Sequence, residues 1–136
     1  MRLTLVMPVF KEHRRLKDSI SRVIAFKADE SDNGVDVDVI FVDDGSPDDS
    51  AAIVNTVIAE TEDPGMRLLR YPRNQGKGFA VKTGILAAEG DLILMSDADL
   101  STPLEDWRRL KDAIDAGADI ACGSRAVHGA HIGKAP

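Results

Sequence analysis

The sequence predicts a single α/β domain with a mostly parallel sheet that is covered by helices on both faces. Short apolar runs alternate along the chain with longer stretches of helical periodicity, and this alternation is typical of parallel strands joined by crossover helices. Signals for the starts and ends of helices fall between the runs. A length of 136 residues suits one hydrophobic core. Residues 1–136 are therefore interpreted as one domain.

The predicted strands and helices follow from the length and spacing of the apolar residues. Five short apolar runs are the predicted strands: Leu3–Met7, Val37–Val42, Met66–Leu69, Leu92–Met95 and Ile120–Cys122. Stretches in which apolar residues return after three and four positions are the predicted helices: Leu16–Phe26, Ala51–Ala59, Phe79–Ala88 and Trp107–Ala116.

Capping residues support these helices. Thr102–Glu105 offers a capping hydroxyl, a proline for the first helical position and a carboxylate for the third. Ser46–Asp49 has the same pattern of a hydroxyl, a proline and a carboxylate. Gly90 and Gly117 follow helical runs, where a left-handed terminating residue is expected.

Composition excludes some function classes. The net charge of −6 argues against a nucleic-acid-binding protein, which needs a basic face. The single cysteine, Cys122, cannot form an internal disulfide, which suggests a reducing compartment or simple burial. No apolar stretch approaches the roughly 20 residues that span a bilayer. The expected compartment is the cytoplasm.

Polar clusters follow each predicted strand. Ligands of open α/β sheets bind outside the carboxyl ends of the strands, so residues with chemical roles should lie there. The five clusters are Pro8–Glu12, Asp43–Ser46, Asn74–Gly78, Asp97–Asp99 and Gly123–Arg125. We expect them to converge on one edge of the sheet.

Asp97 and Asp99 form the strongest local signal. They lie one residue apart, directly after a predicted strand. Both carboxylates can turn toward a hard divalent cation that also binds substrate phosphates. The alternative is that they begin a loop and cap the helix that starts near Pro103.

Asp43 and Asp44 form a second acidic cluster, in which Gly45 permits a tight turn. The carboxylates can accept hydrogen bonds from a base or from ribose hydroxyls, or Asp44 and Ser46 can simply cap the next helix. An acid pair at a strand end is also found in signalling receiver domains. That interpretation expects one phosphoacceptor aspartate without a second pair of acids.

Arg73–Gly78 is a weaker candidate for phosphate binding. Its glycines free backbone amides to approach an anion, and Lys77 can neutralise phosphate charge. The segment is not a Walker loop, because the spacing differs and Phe79 stands where a hydroxyl is required. A plain turn is the alternative.

Aromatic, acidic and basic residues complete the set of candidates. Phe10 can stack near a base, and Glu12 can accept hydrogen bonds from ribose or base. Arg125 suits bidentate binding of a phosphate, with a surface salt bridge as the alternative. His128 and His131 lack partners at zinc spacing and are expected to be solvated.

Five segments together resemble glycosyltransferase family 2 in residues, order and spacing: Pro8–Glu12, Val42–Asp48, Asn74–Gly78, Asp97–Pro103 and Gly123–Arg125. The resemblance covers essentially the whole chain. Within the family, it is greatest to the enzymes that glycosylate polyprenyl and dolichyl phosphate, and Asp-Leu-Ser-Thr-Pro at 99–103 is closer to the glucosyl members. It implies a GT-A fold, a Rossmann-like three-layer sandwich. Because family members continue beyond the equivalent of Pro136, the chain is expected to be an N-terminal portion.

The resemblance also implies roles for individual residues. The residues expected to line the nucleoside pocket are Pro8, Phe10, Glu12, Asp43 and Asp44, with Lys77 near it. Asp97 and Asp99 are expected to hold Mg or Mn on the donor diphosphate, and Arg125 to meet the acceptor phosphate. The chain departs from the family pattern at Lys11, which replaces an Asn, and at Ser101, which replaces a Gln of mannosyl members.

The predicted function is inverting transfer of glucose from UDP-glucose to a polyprenyl or dolichyl-type phosphate. Such an acceptor is already an anion, so the reaction needs little or no general base. In the full-length protein, the lipid phosphate would be met at the cytoplasmic face of a membrane. The alternatives are a nucleotide-sugar-binding module without the acceptor half, a receiver domain, or a nucleotidyltransferase, which would show a Gly-rich loop in place of Pro8–Phe10.

Overall fold

The computed structural model describes residues 1–100, 103–122 and 131–134. The strands are β1 Arg2–Val9, β2 Asp36–Asp44, β3 Met66–Tyr71, β4 Leu92–Met95, β5 Ile120–Cys122 and β6 His131–Lys134. The helices are α1 His13–Asp32, α2 Ser50–Thr61, α3 Lys77–Ala87 and α4 Trp107–Asp115, with a short 3-10 helix at Leu104–Asp106. All five predicted strands and all four predicted helices are present, several of them longer than predicted.

The strands form one mostly parallel sheet in the order β3-β2-β1-β4-β6-β5. Parallel pairs join β2 to β3, β1 to β2, and β1 to β4. β6, which the sequence did not predict, pairs antiparallel with both β4 and β5. The fifth predicted strand is therefore separated from β4 by an inserted strand.

Helices cover both faces of the sheet, which confirms the three-layer prediction. Side chains alternate between the two faces along a strand. In β1, Leu5 and Met7 pack in a large core cluster on one face, and Val6 packs in a smaller cluster on the other. The large cluster takes in residues of α1, α2 and α4, among them the buried Trp107. The smaller cluster is covered by α3 through Ala80. None of the helices in these described stretches is both long and apolar enough to span a bilayer.

The predicted helix boundaries are only partly right. α2 begins at Ser50 rather than beside Ser46, and Asp48 Oδ1 accepts the Ser50 backbone N–H at 3.0 Å. Gly117 is left-handed as predicted, with φ of 115°. Gly90 serves close packing instead: a Cβ there would lie 2.7 Å from the Thr4 backbone nitrogen.

Candidate active site

The carboxyl ends of β1, β2 and β4 meet at one edge of the sheet, because these strands run parallel. The segments that follow β1 to β4 line an open cavity of about 390 Å³, a size within the range of small-ligand sites. The lining residues are Pro8, Val9, Phe10, Glu12, Asp44, Asn74, Gly76, Lys77, Asp97, Ala98 and Asp99. Four of the five polar clusters thus contribute to one site.

The cavity brings together most of the residues singled out in the sequence: Pro8, Phe10, Glu12, Asp44, Lys77, Asp97 and Asp99. Asp43 is fully buried and is not among the lining residues. Arg125, Ser101 and His128 lie outside the described residues, and His131 is described only through its backbone in β6.

The segment after β4 is held by contacts with other elements. The Ser19 hydroxyl of α1 donates to the Ala98 carbonyl at 2.6 Å. The Leu100 N–H donates to the Asp97 carbonyl at 3.0 Å, and Leu100 has a left-handed φ of 49°. These contacts hold Asp97 and Asp99 against the cavity. Sequence reasoning missed Ser19, since nothing in its local pattern indicates a partner so far along the chain.

Lys77 and Asp97 form an ion pair within the cavity lining, with Lys77 Nζ 2.5 Å from Asp97 Oδ1. The lysine side chain is 55% exposed, and that of the aspartate is 21% exposed. Lys77 is the first residue of α3, so its backbone belongs to a helix N-terminus, where anions are favoured. The site therefore offers carboxylates to a cation and, beside them, positive charge to an anion.

Asp44 holds the segment that leads into α3. Its Oδ1 accepts hydrogen bonds from the Tyr71 hydroxyl at 2.6 Å and the Gln75 N–H at 2.8 Å. Its Oδ2 accepts from the Asn74 amide at 2.8 Å and the Gly76 N–H at 3.1 Å. These four donors use the carboxylate's usual acceptor capacity. The interpretation of Asp44 as a cap of the next helix, α2, is wrong, and no local pattern in the sequence indicated Tyr71.

Burial and the hydrogen bond to Asp44 raise the pKa of Tyr71 well above its ordinary value. The phenol therefore stays protonated through the neutral range and remains a donor to Asp44. This contact keeps the end of β3 attached to the end of β2, next to the cavity.

Asp43 shapes the turn after β2. Its Oδ1 accepts the Ser46 N–H at 3.2 Å, and its Oδ2 lies 3.3 Å from Arg70 Nε. The Oδ2 contact is at ion-pair distance but lacks hydrogen-bond geometry. Gly45 follows with φ of 66°, and a Cβ there would lie 2.5 Å from the backbone of Arg73 and Asn74. Glycine is required because these two segments touch backbone to backbone.

Two serines fix the segment after β1. Ser46 Oγ accepts the Lys11 N–H at 3.1 Å, and Ser50 Oγ accepts the Glu12 N–H at 3.2 Å. Lys11 has a left-handed φ of 53°, and its ammonium lies 5.1 Å from the centroid of the Phe10 ring. The serines thus present Phe10 and Glu12 to the cavity, a role that differs from the predicted helix cap at Ser46.

Asp97 and Asp99 fit a divalent cation by the chemistry of their donors. Both residues line one cavity, and carboxylate oxygens are the hard donors that such an ion prefers; Asp97 Oδ1 is paired with the Lys77 ammonium. A second group, His13, Asp48 and Asp49, places three possible ligand atoms within 4.8 Å of one another. His13 Nδ1 is already 2.9 Å from Asp48 Oδ2, and this group is not among the cavity-lining residues.

Comparison with known proteins gives the family. A family model described as glycosyl transferase family 2 matches residues 4–136. The dolichyl-phosphate beta-glucosyltransferase of Dictyostelium discoideum is 37% identical over 131 residues, which cover 90% of this chain and 39% of that relative. The chain thus spans less than half the length of this relative.

Solved structures confirm the predicted GT-A fold. The mannosyltransferase PcManGT from Pyrobaculum calidifontis, in complex with GDP-Man and Mn²⁺, gives a TM-score of 0.64 at 22% identity, covering 77% of this chain and 29% of that one. S. aureus TarS 1-349 in complex with UDP-GlcNAc gives 0.62 at 18% identity, covering 88% of this chain and 33% of that one. At these identities the likeness concerns the fold alone.

Proposed function

This chain belongs to glycosyl transferase family 2, and we therefore propose that it binds the nucleotide-sugar donor of an enzyme that glycosylates a polyprenyl-type phosphate. The observation that carries the proposal is the joint lining of one cavity by Asp97, Asp99 and Lys77 with the segment after β1. These groups match the parts of a nucleoside diphosphate sugar.

Each part of such a donor has a chemical counterpart in the cavity. Phe10, an exposed aromatic residue in the cavity lining, offers a ring face to a base, and Glu12 offers acceptors to ribose hydroxyls. Lys77 and the amide end of α3 suit a diphosphate. Asp44 contributes by holding the segment Asn74–Lys77 in place, because its own acceptors are already used.

Asp97 and Asp99 would hold Mg or Mn beside the diphosphate. When bound, a divalent cation stabilises the negative charge that develops on a departing nucleoside diphosphate. The ammonium of Lys77 would neutralise further phosphate charge. Inversion at the anomeric carbon also needs an acceptor oxygen held in line, and Arg125 is the residue we propose for the acceptor phosphate.

UDP-glucose as donor and dolichyl-type phosphate as acceptor are the finer parts of the proposal. Support comes from the named activity of the Dictyostelium relative and from the segment Asp99–Pro103. The acceptor would be met at the cytoplasmic face of a membrane. A nucleotide-sugar-binding module without transfer activity is the second candidate, because the chain spans 39% of that relative.

Calorimetric titration tests the donor site. UDP, UDP-glucose, GDP and GDP-mannose are each titrated into the chain with Mn, with Mg and with chelator. Asp99→Ala is compared with Asp49→Asn, which removes an exposed carboxylate from the second acidic group. We expect metal-dependent binding of the uridine ligands that Asp99→Ala abolishes and Asp49→Asn preserves.

The outcomes separate the parts of the proposal. Loss of binding in Asp49→Asn instead of Asp99→Ala would move the metal to the second acidic group. Tighter binding of GDP than of UDP would overturn the proposed base. Donor binding without product from a short polyprenyl phosphate would favour the binding-module candidate, and no binding of any nucleotide would overturn the donor site.

A further inference from the structure

Lys77 is paired with one of the carboxylates proposed to hold the metal. Its ammonium lies 2.5 Å from Asp97 Oδ1, an oxygen of the carboxylate pair proposed as the metal ligands. The ammonium takes up one side of this oxygen and repels a divalent cation that approaches it, so the lysine disfavours metal binding while it stays paired with Asp97. Metal binding is therefore expected to displace the lysine.

The geometry lets the side chain move while its backbone stays fixed. The preceding residues are tied to Asp44 through the Gln75 N–H at 2.8 Å and the Gly76 N–H at 3.1 Å. Lys77 then begins α3, and the Ala80 N–H donates to the Gly76 carbonyl. Beyond this anchored backbone the side chain is 55% exposed, and exposed ion pairs contribute little to stability.

Building on the proposed donor site, we propose that Lys77 is a placeholder cation. It pairs with Asp97 while no metal is bound, and it transfers to the donor phosphates when a divalent cation takes Asp97. Each state then pairs the ammonium with an anion. Nucleotide binding offers the displaced lysine a new partner, so metal and nucleotide each strengthen the binding of the other, and this coupling is reciprocal.

Substitution of Lys77 by Gln tests the exchange, because it gives opposite effects in two binding measurements. Mn²⁺ binding without nucleotide, followed by the electron paramagnetic resonance of free Mn²⁺, should become about two- to fivefold tighter because a competitor worth a surface ion pair is gone. UDP binding at saturating Mn²⁺ should become about tenfold weaker, because a charge-assisted contact to phosphate is lost.

Arg73→Gln is the matched control. It removes one positive charge from an exposed residue in the same connection between β3 and α3, and no contact between Arg73 and Asp97 is found among the described residues. A general change in electrostatic potential would tighten Mn²⁺ binding alike in both variants. The exchange predicts a clearly larger change in Lys77→Gln.

The same Lys77 substitution is also made in a variant that lacks the Asp97 carboxylate, which tests whether the effect depends on Asp97. In Asp97→Asn, adding Lys77→Gln should no longer tighten Mn²⁺ binding, because the shared oxygen has lost its charge. Equal or weaker Mn²⁺ binding in Lys77→Gln, with UDP binding by the unsubstituted chain intact, would overturn the placeholder and leave the donor site standing. Absence of Mn²⁺-dependent UDP binding in the unsubstituted chain would overturn both.

Discussion

Asp44 illustrates how a carboxylate that lines a cavity can act through its neighbours. Four donors converge on its two oxygens, and three of them come from Asn74, Gln75 and Gly76. Only 4% of the residue is exposed. Asp44 therefore positions Lys77 by holding the segment before it.

Asp44→Asn should weaken both the fold and the donor site. Asparagine keeps one accepting oxygen, but its NH2 group only donates, so one backbone N–H of the segment before α3, that of Gln75 or of Gly76, loses its partner, at a cost of about 1–3 kcal/mol. Urea unfolding and calorimetry with UDP and Mn²⁺ measure the two effects. Tyr71→Phe removes only one donor and should cost less. Unchanged stability and UDP affinity in Asp44→Asn would contradict the positioning role.

The carboxyl group of Asp48 makes the stability of the fold depend on pH. Burial acts to raise the pKa of its carboxyl, but hydrogen bonds from Ser50 and His13 outweigh burial and leave the pKa below the ordinary 3.8. A lowered folded-state pKa stabilises the protein above the unfolded pKa, and this stabilisation is lost as the pH falls toward the folded pKa.

Asp48→Asn should therefore flatten the acid side of the stability profile. Its free energy of unfolding should be lower than that of the unsubstituted chain at neutral pH, and the difference should shrink as the pH falls below the ordinary carboxyl pKa of 3.8. Urea titrations at several pH values measure this convergence. A difference that stays constant over the whole range would show that Asp48 makes no pH-linked contribution.

At the scale of elements, the packing of α3 against the sheet determines how close Lys77 lies to the strands. The helix packs closely because Gly84 has no side chain: a Cβ there would lie 2.3 Å from Val6 Cγ1 of β1. Ala80 packs in the same small core cluster. The first turn of α3 is thereby held near the ends of β1 and β4, where the cavity lies.

Gly84→Ala should destabilise the domain although alanine favours helices. Overpacking costs about 1–3 kcal/mol, which exceeds the gain of up to about 1 kcal/mol in helix propensity. Gly78→Ala is the control on the same helix, since a Cβ there meets nothing within 4 Å, and it should be neutral or stabilising. Urea unfolding of both variants measures the difference, with a lower midpoint expected for Gly84→Ala. Equal midpoints would contradict the close packing at Gly84.

At the scale of the whole molecule, four segments distant in sequence form one cavity only in the folded chain. A ligand bound there binds the folded state and not the unfolded chain. Binding should therefore stabilise the entire domain, including the large core cluster on the opposite face from α3.

UDP with Mn²⁺ at about 100 times its Kd should raise the free energy of unfolding by about 2.7 kcal/mol. Thermal unfolding followed by circular dichroism measures the rise in Tm. The same UDP with chelator should give no rise, and neither should Asp99→Ala with UDP and Mn²⁺. A rise that persists in the chelated sample would show that nucleotide binding does not need the metal.

The sequence by itself determined the order and type of the five predicted strands and four predicted helices, and the place of the candidate residues along the chain. Apolar runs and helical spacing are properties of neighbouring residues, so Leu92–Met95 was predicted with the bounds the structure has. The position of Asp97 and Asp99 after that strand follows from the same local pattern, because the strands of a parallel sheet end at one edge.

Only the tertiary structure decided which groups meet. β6 enters between β4 and β5, and no local periodicity indicates such an insertion. Tyr71 lies 27 residues from Asp44, and Ser19 lies 79 residues from Ala98. Hydrogen bonds and ion pairs of this kind depend on which strands and helices become neighbours. Hence the acceptors of Asp44 are used within the chain, and Lys77 pairs with Asp97, which we propose as a metal ligand.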